Sequence, residues 1–329
     1  MIDPNTAMSA AGEGAKAISK LGDIVQKIYG PRWTRKQADA DAYADQRRLQ
    51  TIRENPDMEI VYANGQLNAR LRTPEVLAIH AERRQLLESL KQEENIENII
   101  EKAHKELSSA PKVSDNPVND DWLTRFFGIV KEVSSDDMRF IWGKILAGEI
   151  VEPGSFSLRT LETIRNINAD EAKTFERILP FVVSSGLTRF IPSDLTRFKE
   201  YGVIYGDIIQ LNECGLINST GTASLEMNIL PNCVDQLLFT TERDLLTVCN
   251  FDNKDYSSKL GVYPLTRAAM ELMSILEYSS NHDFFIRISE KVHSDLFPNT
   301  KMTIFEITEK NDEQIFFNKK NPLNVFSPR

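Results

Sequence analysis

The chain has 329 residues, 41% hydrophobic and 26% charged, which supplies enough apolar material for buried cores and excludes a disordered polymer. Lys and Arg number 39 against 48 Asp and Glu; residues 1–112 carry 17 of each sign, so residues 113–329 hold the other 22 basic and 31 acidic residues and the whole net charge of −9. A surface with excess carboxylate repels phosphate, which argues against broad nucleic-acid binding by that larger part.

Residues 13–29 carry Ala15, Ile18, Leu21, Val25 and Ile28 at steps of three and four, the spacing of one apolar helix stripe, and Gly30-Pro31 stops it. An alanine-rich run predicts a second helix over 34–54, ended by Asn55-Pro56. Thr73-Pro74-Glu75 is a helix start, followed by a long amphipathic pattern through Leu107. A helix of that length needs a lengthwise partner: an antiparallel hairpin within the chain, or a coiled coil with a second copy. Ser108 to Pro117 is polar, holds two prolines and predicts a boundary near 112.

Four short helices follow. Trp122, Phe126, Ile129 and Val130 mark the first; Ser134-Ser135-Asp136-Asp137 caps the second, through Met138, Ile141, Trp142 and Leu146; Ser157 caps the third; and Asn168 with Glu171 makes a capping-box start for the fourth. Their short connections predict a compact bundle over 113–186. Beyond Gly186 come a short helix at 208–214 and strand-like runs at 225–230, 237–241 and 245–249. Helices starting near Thr266 and Asp283 follow, then a terminal hairpin of 302–308 with 314–317 and a tail from Asn318. The order of three helices then strands over 170–250 predicts a winged-helix-like unit. The expected fold is thus mainly α with a C-terminal α+β part: a helical arm (1–112), a central helical bundle (113–186) and a winged-helix-like domain (187–329).

Cys214, Cys233 and Cys249 are odd in number and lack CxxC spacing, so reduced thiols are expected. No apolar run spans a bilayer and the N-terminus lacks signal-peptide order, which predicts a cytoplasmic protein, with peripheral contact at the inner membrane as an option.

The segment from Trp122 to Ala172, DDWLTRFF…DDMRFIWGKILAGEI…PGSFSLRTLETIRNI…DEAKTFE, resembles a bacterial domain-of-unknown-function family carried with prophage genes. More distantly it is similar to the abortive-infection alpha (Abi-alpha) proteins, as is Gly30 to Arg35. The resemblance implies a role in phage defence or prophage biology and implies no catalytic residues, because its pattern is Trp, Leu, Gly, Pro and capping residues, which make folds.

Two places stand out as candidate interaction sites. Leu146 to Thr160 gathers turn glycines, a cap, Glu149 and Arg159; it reads as a helix–loop–helix corner or as a loop displaying that Glu–Arg pair. Lys27, Arg32, Arg35 and Lys36 interleave with Tyr29 and Trp33, which suits either a solvated turn or an anionic membrane surface. His80, His104, His282 and His293 make no metal-ligand spacing, and neither a P-loop nor a nucleophile motif occurs, so no metal or cofactor is expected. The would-be recognition helix 205–214 has two acids and no Lys or Arg, which disfavours DNA. The expectation is a non-enzymatic protein acting through a protein partner, self-association as a homo-oligomer, or the membrane surface. A DNA-binding winged-helix regulator and a cryptic nuclease or hydrolase are the alternatives.

Overall fold

The computed structural model describes residues 4–29, 60–63, 66–69, 74–110, 112–197, 199–219, 223–310 and 314–328. The chain divides into two compact units, Met1–Ser155 and Phe156–Arg329. The expected divisions at 112 and 186 fall inside these units, and the predicted helix over 34–54 lies outside the described residues.

The first unit contains α1 (Pro4–Tyr29), an antiparallel pair β1 (Ile60–Ala63) and β2 (Gln66–Ala69), α2 (Pro74–Leu107), α3 (Asp120–Val130) and α4 (Asp136–Val151). The predicted stripe of α1 is rotated. Ala17, Leu21, Ile24 and Val25 are buried, while Ala15 and Ile28 are exposed. The cause is Gly14: a Cβ there would lie 2.7 Å from the Ser108 carbonyl oxygen, so the bare backbone lets α1 dock tightly on that side. Polar ties fix the helix lengthwise. Lys16 Nζ donates to Val113 O at 2.8 Å, Lys20 Nζ donates to Ser114 O and Asn116 O, and Glu13 accepts from Val113 N–H.

The lengthwise partner of α2 is α4 of the same chain. Ile99, Ala103 and Leu107 of α2 are fully buried, and Gly143 of α4 lets the two backbones approach. Buried Asn95 is held on both sides: its Nδ2 donates to Lys131 O at 2.7 Å and its Oδ1 accepts from Arg139 Nη2 at 2.6 Å. The aromatic centre is Phe126, stacked on Trp122 at 5.0 Å between centroids and edge-on to Trp142 at 5.6 Å. Asn119 caps α3 by accepting from Trp122 N–H, whereas Ser135 stands at the N-cap of α4 without a side-chain hydrogen bond.

The second unit begins with α5 (Leu158–Arg165) and α6 (Ala169–Ile178). Both predicted caps form: Ser157 accepts from Thr160 N–H, and Asn168 and Glu171 make a reciprocal capping box. Next come the hairpin β3 (Val183–Ser185) and β4 (Thr188–Pro192), α7 (Tyr205–Glu213), β5 (Ser224–Ile229), β6 (Gln236–Thr240), β7 (Asp244–Cys249) and β8 (Tyr256–Pro264). The unit ends with α8 (Arg267–Met273), α9 (His282–Leu296), β9 (Lys301–Lys310), β10 (Ile315–Phe317) and β11 (Asn324–Phe326). Strands β3 to β11 form one antiparallel sheet of nine, in the order β10-β9-β7-β6-β3-β4-β8-β5, with β11 also on β9. The α+β character is as expected. The hairpin β3–β4 between α6 and α7, and the size of the sheet, were not read from the sequence. Nor was β11, inside the expected tail.

Every residue of β7 is buried, and α9 packs over β7, β8 and β11 through Phe284, Phe285, Ile288 and Val292. Asn281 caps α9, which starts one residue before the expected Asp283.

Candidate functional site

The structure describes the side chains of three predicted site residues, Lys27, Glu149 and Arg159. Lys27 is exposed and pairs with Asp120 at 2.9 Å. Tyr29 is the last residue of α1; its side chain, and Arg32, Trp33, Arg35 and Lys36, lie outside the described residues. Glu149 is only 1% exposed and accepts from Gly154 N–H at 2.7 Å, so its carboxylate is turned inward and is not displayed. The N–H is available because Gly154 has φ +96°, a left-handed turn that glycine tolerates. A carboxylate in the last turn of α4 opposes the helix dipole, and this bond offsets that cost. Arg159 is exposed on α5, in the other unit.

Sequence reasoning missed two features of the second unit. The first is an apolar platform. Leu230 (60% exposed), Val234 (70%), Leu237 (45%) and Phe251 (67%) all face solvent. Two connections carry three of them, 230–235 between β5 and β6 and 250–255 between β7 and β8. Asn250, itself fully buried, ties the two: its N–H donates to Cys233 O, and its Nδ2 to Leu230 O at 3.0 Å and Lys254 O at 2.8 Å. Its Oδ1 accepts from Asp252 N–H at 2.9 Å. Asn232 N–H donates to Asp252 O, and Gln236 bridges Leu230 N–H and Asn228 O. Asn232 and Asp235 take left-handed backbone conformations, at φ 50° and 55°, which Asn and Asp tolerate better than other side chains do. Lys319 pairs with Asp235 at the foot of the loop. The exposed side chains therefore stand on a hydrogen-bonded frame, which lowers the entropy lost when a partner covers them.

The second feature is a buried acid–histidine pair. Asp244 has no exposed surface; its Oδ1 accepts from His282 Nδ1 at 2.9 Å, and its Oδ2 has no hydrogen-bond partner. Since the carboxylate can only accept, Nδ1 of the partly exposed imidazole donates to it. Nearby, the Tyr278 hydroxyl donates to Glu242. Burial first, and then the hydrogen bond to Glu242, push that phenol well above its ordinary value. Burial and the Arg189 cation push the Lys310 ammonium down, against the pull of Glu242. Among the described residues no group of three or more His, Cys, Asp or Glu is placed to hold a metal ion. Among them also, no helix is long and apolar enough to cross a membrane.

The exposed loops were legible only as turns, from Pro231-Asn232 and Asn250 to Asn253; nothing in the sequence said they would meet. His282 and Asp244 are 38 residues apart and carried no spacing signal.

No curated protein and no solved structure matches the chain. Residues 80–289 match the model of a family described as Protein of unknown function (DUF2806). That span runs from within α2 to within α9, and takes in the Trp122–Ala172 segment, the platform loops and both members of the Asp244–His282 pair. It is well over half of the chain, and the protein belongs to the DUF2806 family.

Proposed function

We propose that this protein acts by binding other macromolecules, as a phage-defence or prophage-associated protein of the abortive-infection kind. The observation that carries the reading is the platform of Leu230, Val234, Leu237 and Phe251. Large apolar side chains held in water by a specific hydrogen-bond frame serve a partner better than they serve a solitary fold. The resemblance of Trp122–Ala172 to prophage-borne and Abi-alpha proteins supplies the biological setting. In this reading the site of action is the cytoplasm, with the basic, aromatic end of α1 (Lys27, Tyr29) and Arg32 to Lys36 touching the inner membrane surface. A DNA-reading winged helix has less support: α7 has no Lys or Arg and exposes Ile204, Tyr205 and Ile209 at its start and along one side.

The test is a phage challenge of cells expressing the wild type or Val234→Ser/Phe251→Ser. Both positions are solvent-facing, so the variant should keep its fold. Protection by the wild type that is lost in the variant supports the reading; no protection, or equal protection, removes it.

One observation favours a second reading, a cryptic hydrolase or nuclease: Asp244 orients His282 as a carboxylate orients a catalytic base. Turnover of nuclease or esterase substrates by the wild type, abolished in His282→Asn, would replace the binding reading.

A further inference from the structure

All three cysteines are free thiols, and two of them meet at one end of the same ladder. Cys233 lies in the connection between β5 and β6, and Cys249 is the last residue of β7. Strands β6 and β7 pair from Gln236 opposite Val248, so the chain just before Gln236 runs beside the end of β7. The Cys233 carbonyl accepts from the Asn250 N–H at 3.0 Å. With ordinary bond lengths that contact holds the Cα atoms of Cys233 and Cys249 no more than about 8 Å apart, a bound that takes in the span of a disulfide. Each sulfur rests against the other's chain. Cys233 Sγ is 3.9 Å from Val248 O, on the peptide that leads into Cys249. Cys249 Sγ accepts from Asp235 N–H at 3.3 Å and donates to Asp235 Oδ1 at 3.5 Å. Cys214, at the C-cap of α7, belongs to neither strand.

We propose that Cys233 and Cys249 are a redox modification site, closed to an intrachain disulfide by a hydroperoxide. Cys233 is partly exposed and meets the oxidant; Cys249 is buried and resolves the product. In the first step the Cys233 sulfur attacks a peroxide oxygen and the O–O bond breaks. The thiol proton goes to the leaving oxygen, which departs as an alcohol, or as water from hydrogen peroxide, and Cys233 becomes a sulfenic acid. In the second step the Cys249 thiol passes its proton to Asp235 Oδ1 while its sulfur attacks the Cys233 sulfur. The S–O bond breaks, and the departing hydroxide takes that proton as water. The two thiols lose two electrons and the peroxide bond gains the same two. Burial pushes the Cys249 thiol up, which keeps it from reacting with oxidant directly, and the carboxylate beside it supplies the base that its attack needs. The new bond ties the loop that carries Leu230 and Val234 to β7, beside the tie that Asn250 already makes. The site goes beyond the binding role proposed above and does not depend on it.

The experiment treats the full chain with hydrogen peroxide, in buffer and in urea, and maps disulfide-linked peptides by mass spectrometry. In buffer the Cys233–Cys249 link should be the main product, dithiothreitol should reverse it, and Cys214 should stay a thiol. In urea Cys214 should enter the pairings as well, because the fold no longer selects partners. In Cys249→Ser, dimedone should label Cys233 as the sulfenic acid; in Cys233→Ser, labelling of Cys249 should be at least about tenfold weaker. Oxidation of Cys233 to sulfinic acid without a linked peptide, links to Cys214 in buffer, equal labelling of the two cysteines, or the same pairings with and without urea would each overturn the proposal.

Discussion

Gly143 of α4 lies so close to Lys102 of α2 that a methyl group on it would sit 2.6 Å from the lysine Cβ and 3.2 Å from the Ala103 nitrogen. Neither atom is the free end of a flexible chain, so Gly143→Ala must part the helices. We expect a loss of about 1–3 kcal/mol. Gly128, in the last turn of α3, is the control: nothing lies within 4 Å of its would-be Cβ. Gly128→Ala should gain about 0.4–1 kcal/mol by reducing the freedom of the unfolded chain. Urea unfolding of both variants checks the opposite signs.

Removing His282 leaves Asp244 buried with neither oxygen satisfied by it, since Oδ2 already has no partner. His282→Leu should cost on the order of 3 kcal/mol. Asp244→Leu combined with His282→Leu should recover most of the loss, because the isolated carboxylate, and not the missing contact, is the expensive element. A double-mutant cycle in denaturant measures the coupling; additive costs would refute it.

The Cys214 thiol is pushed up to about 12, foremost by burial and then by the Glu171 carboxylate beside it. Near pH 8 almost none of it is thiolate, so alkylation by iodoacetamide should be slow in the native protein and fast after unfolding. Glu171→Gln preserves the capping box, for which glutamine also serves, and removes the charge. That variant should react faster than the wild type but slower than the unfolded chain, because the burial remains. Mass spectrometry of the Cys214 peptide over time reads the rates.

Asp207 accepts from both Nη atoms of Arg177 and from Ile204 N–H. Burial pushes its carboxyl up, yet the guanidinium and the N–H outweigh this, and it lies below its ordinary value of 3.8. A depressed carboxyl stabilises above the unfolded value and loses that contribution as pH falls through the folded one. Stability should therefore drop below about pH 4 by about 0.5–1 kcal/mol more in the wild type than in Asp207→Asn, a modest figure because Arg177 is partly exposed. Urea midpoints at pH 3 and pH 6 show the difference.

What the sequence disclosed was local. The Asn168–Glu171 capping box, the Ser157 cap, the strands around Leu225, Leu237 and Leu245 and the terminal hairpin depend on residues a few positions apart, and they stand where their patterns put them. What it hid was set by partners far along the chain. The face of α1 follows from Gly14 meeting Ser108, nearly a hundred positions away. The hairpin β3–β4 escaped because Val183–Ser185 and Thr188–Pro192 are too short to show alternation. Strand β8, Tyr256–Pro264, escaped because a half-exposed pleat with serines, a lysine and a glycine lacks apolar signal. The platform was invisible for the same reason: Leu230, Val234 and Phe251 looked like ordinary apolar residues until Asn250 joined their loops.

Lys20 grips the chain through the main-chain oxygens of Ser114 and Asn116. Every amino acid offers that oxygen, so the receiving side of the clasp is indifferent to what is written there. Substitutions at 114 and 116 can accumulate without unfastening the N-terminal helix, while the lysine itself has no such latitude. Relatives should accordingly vary freely at those two positions and hold a long cation at the place of Lys20.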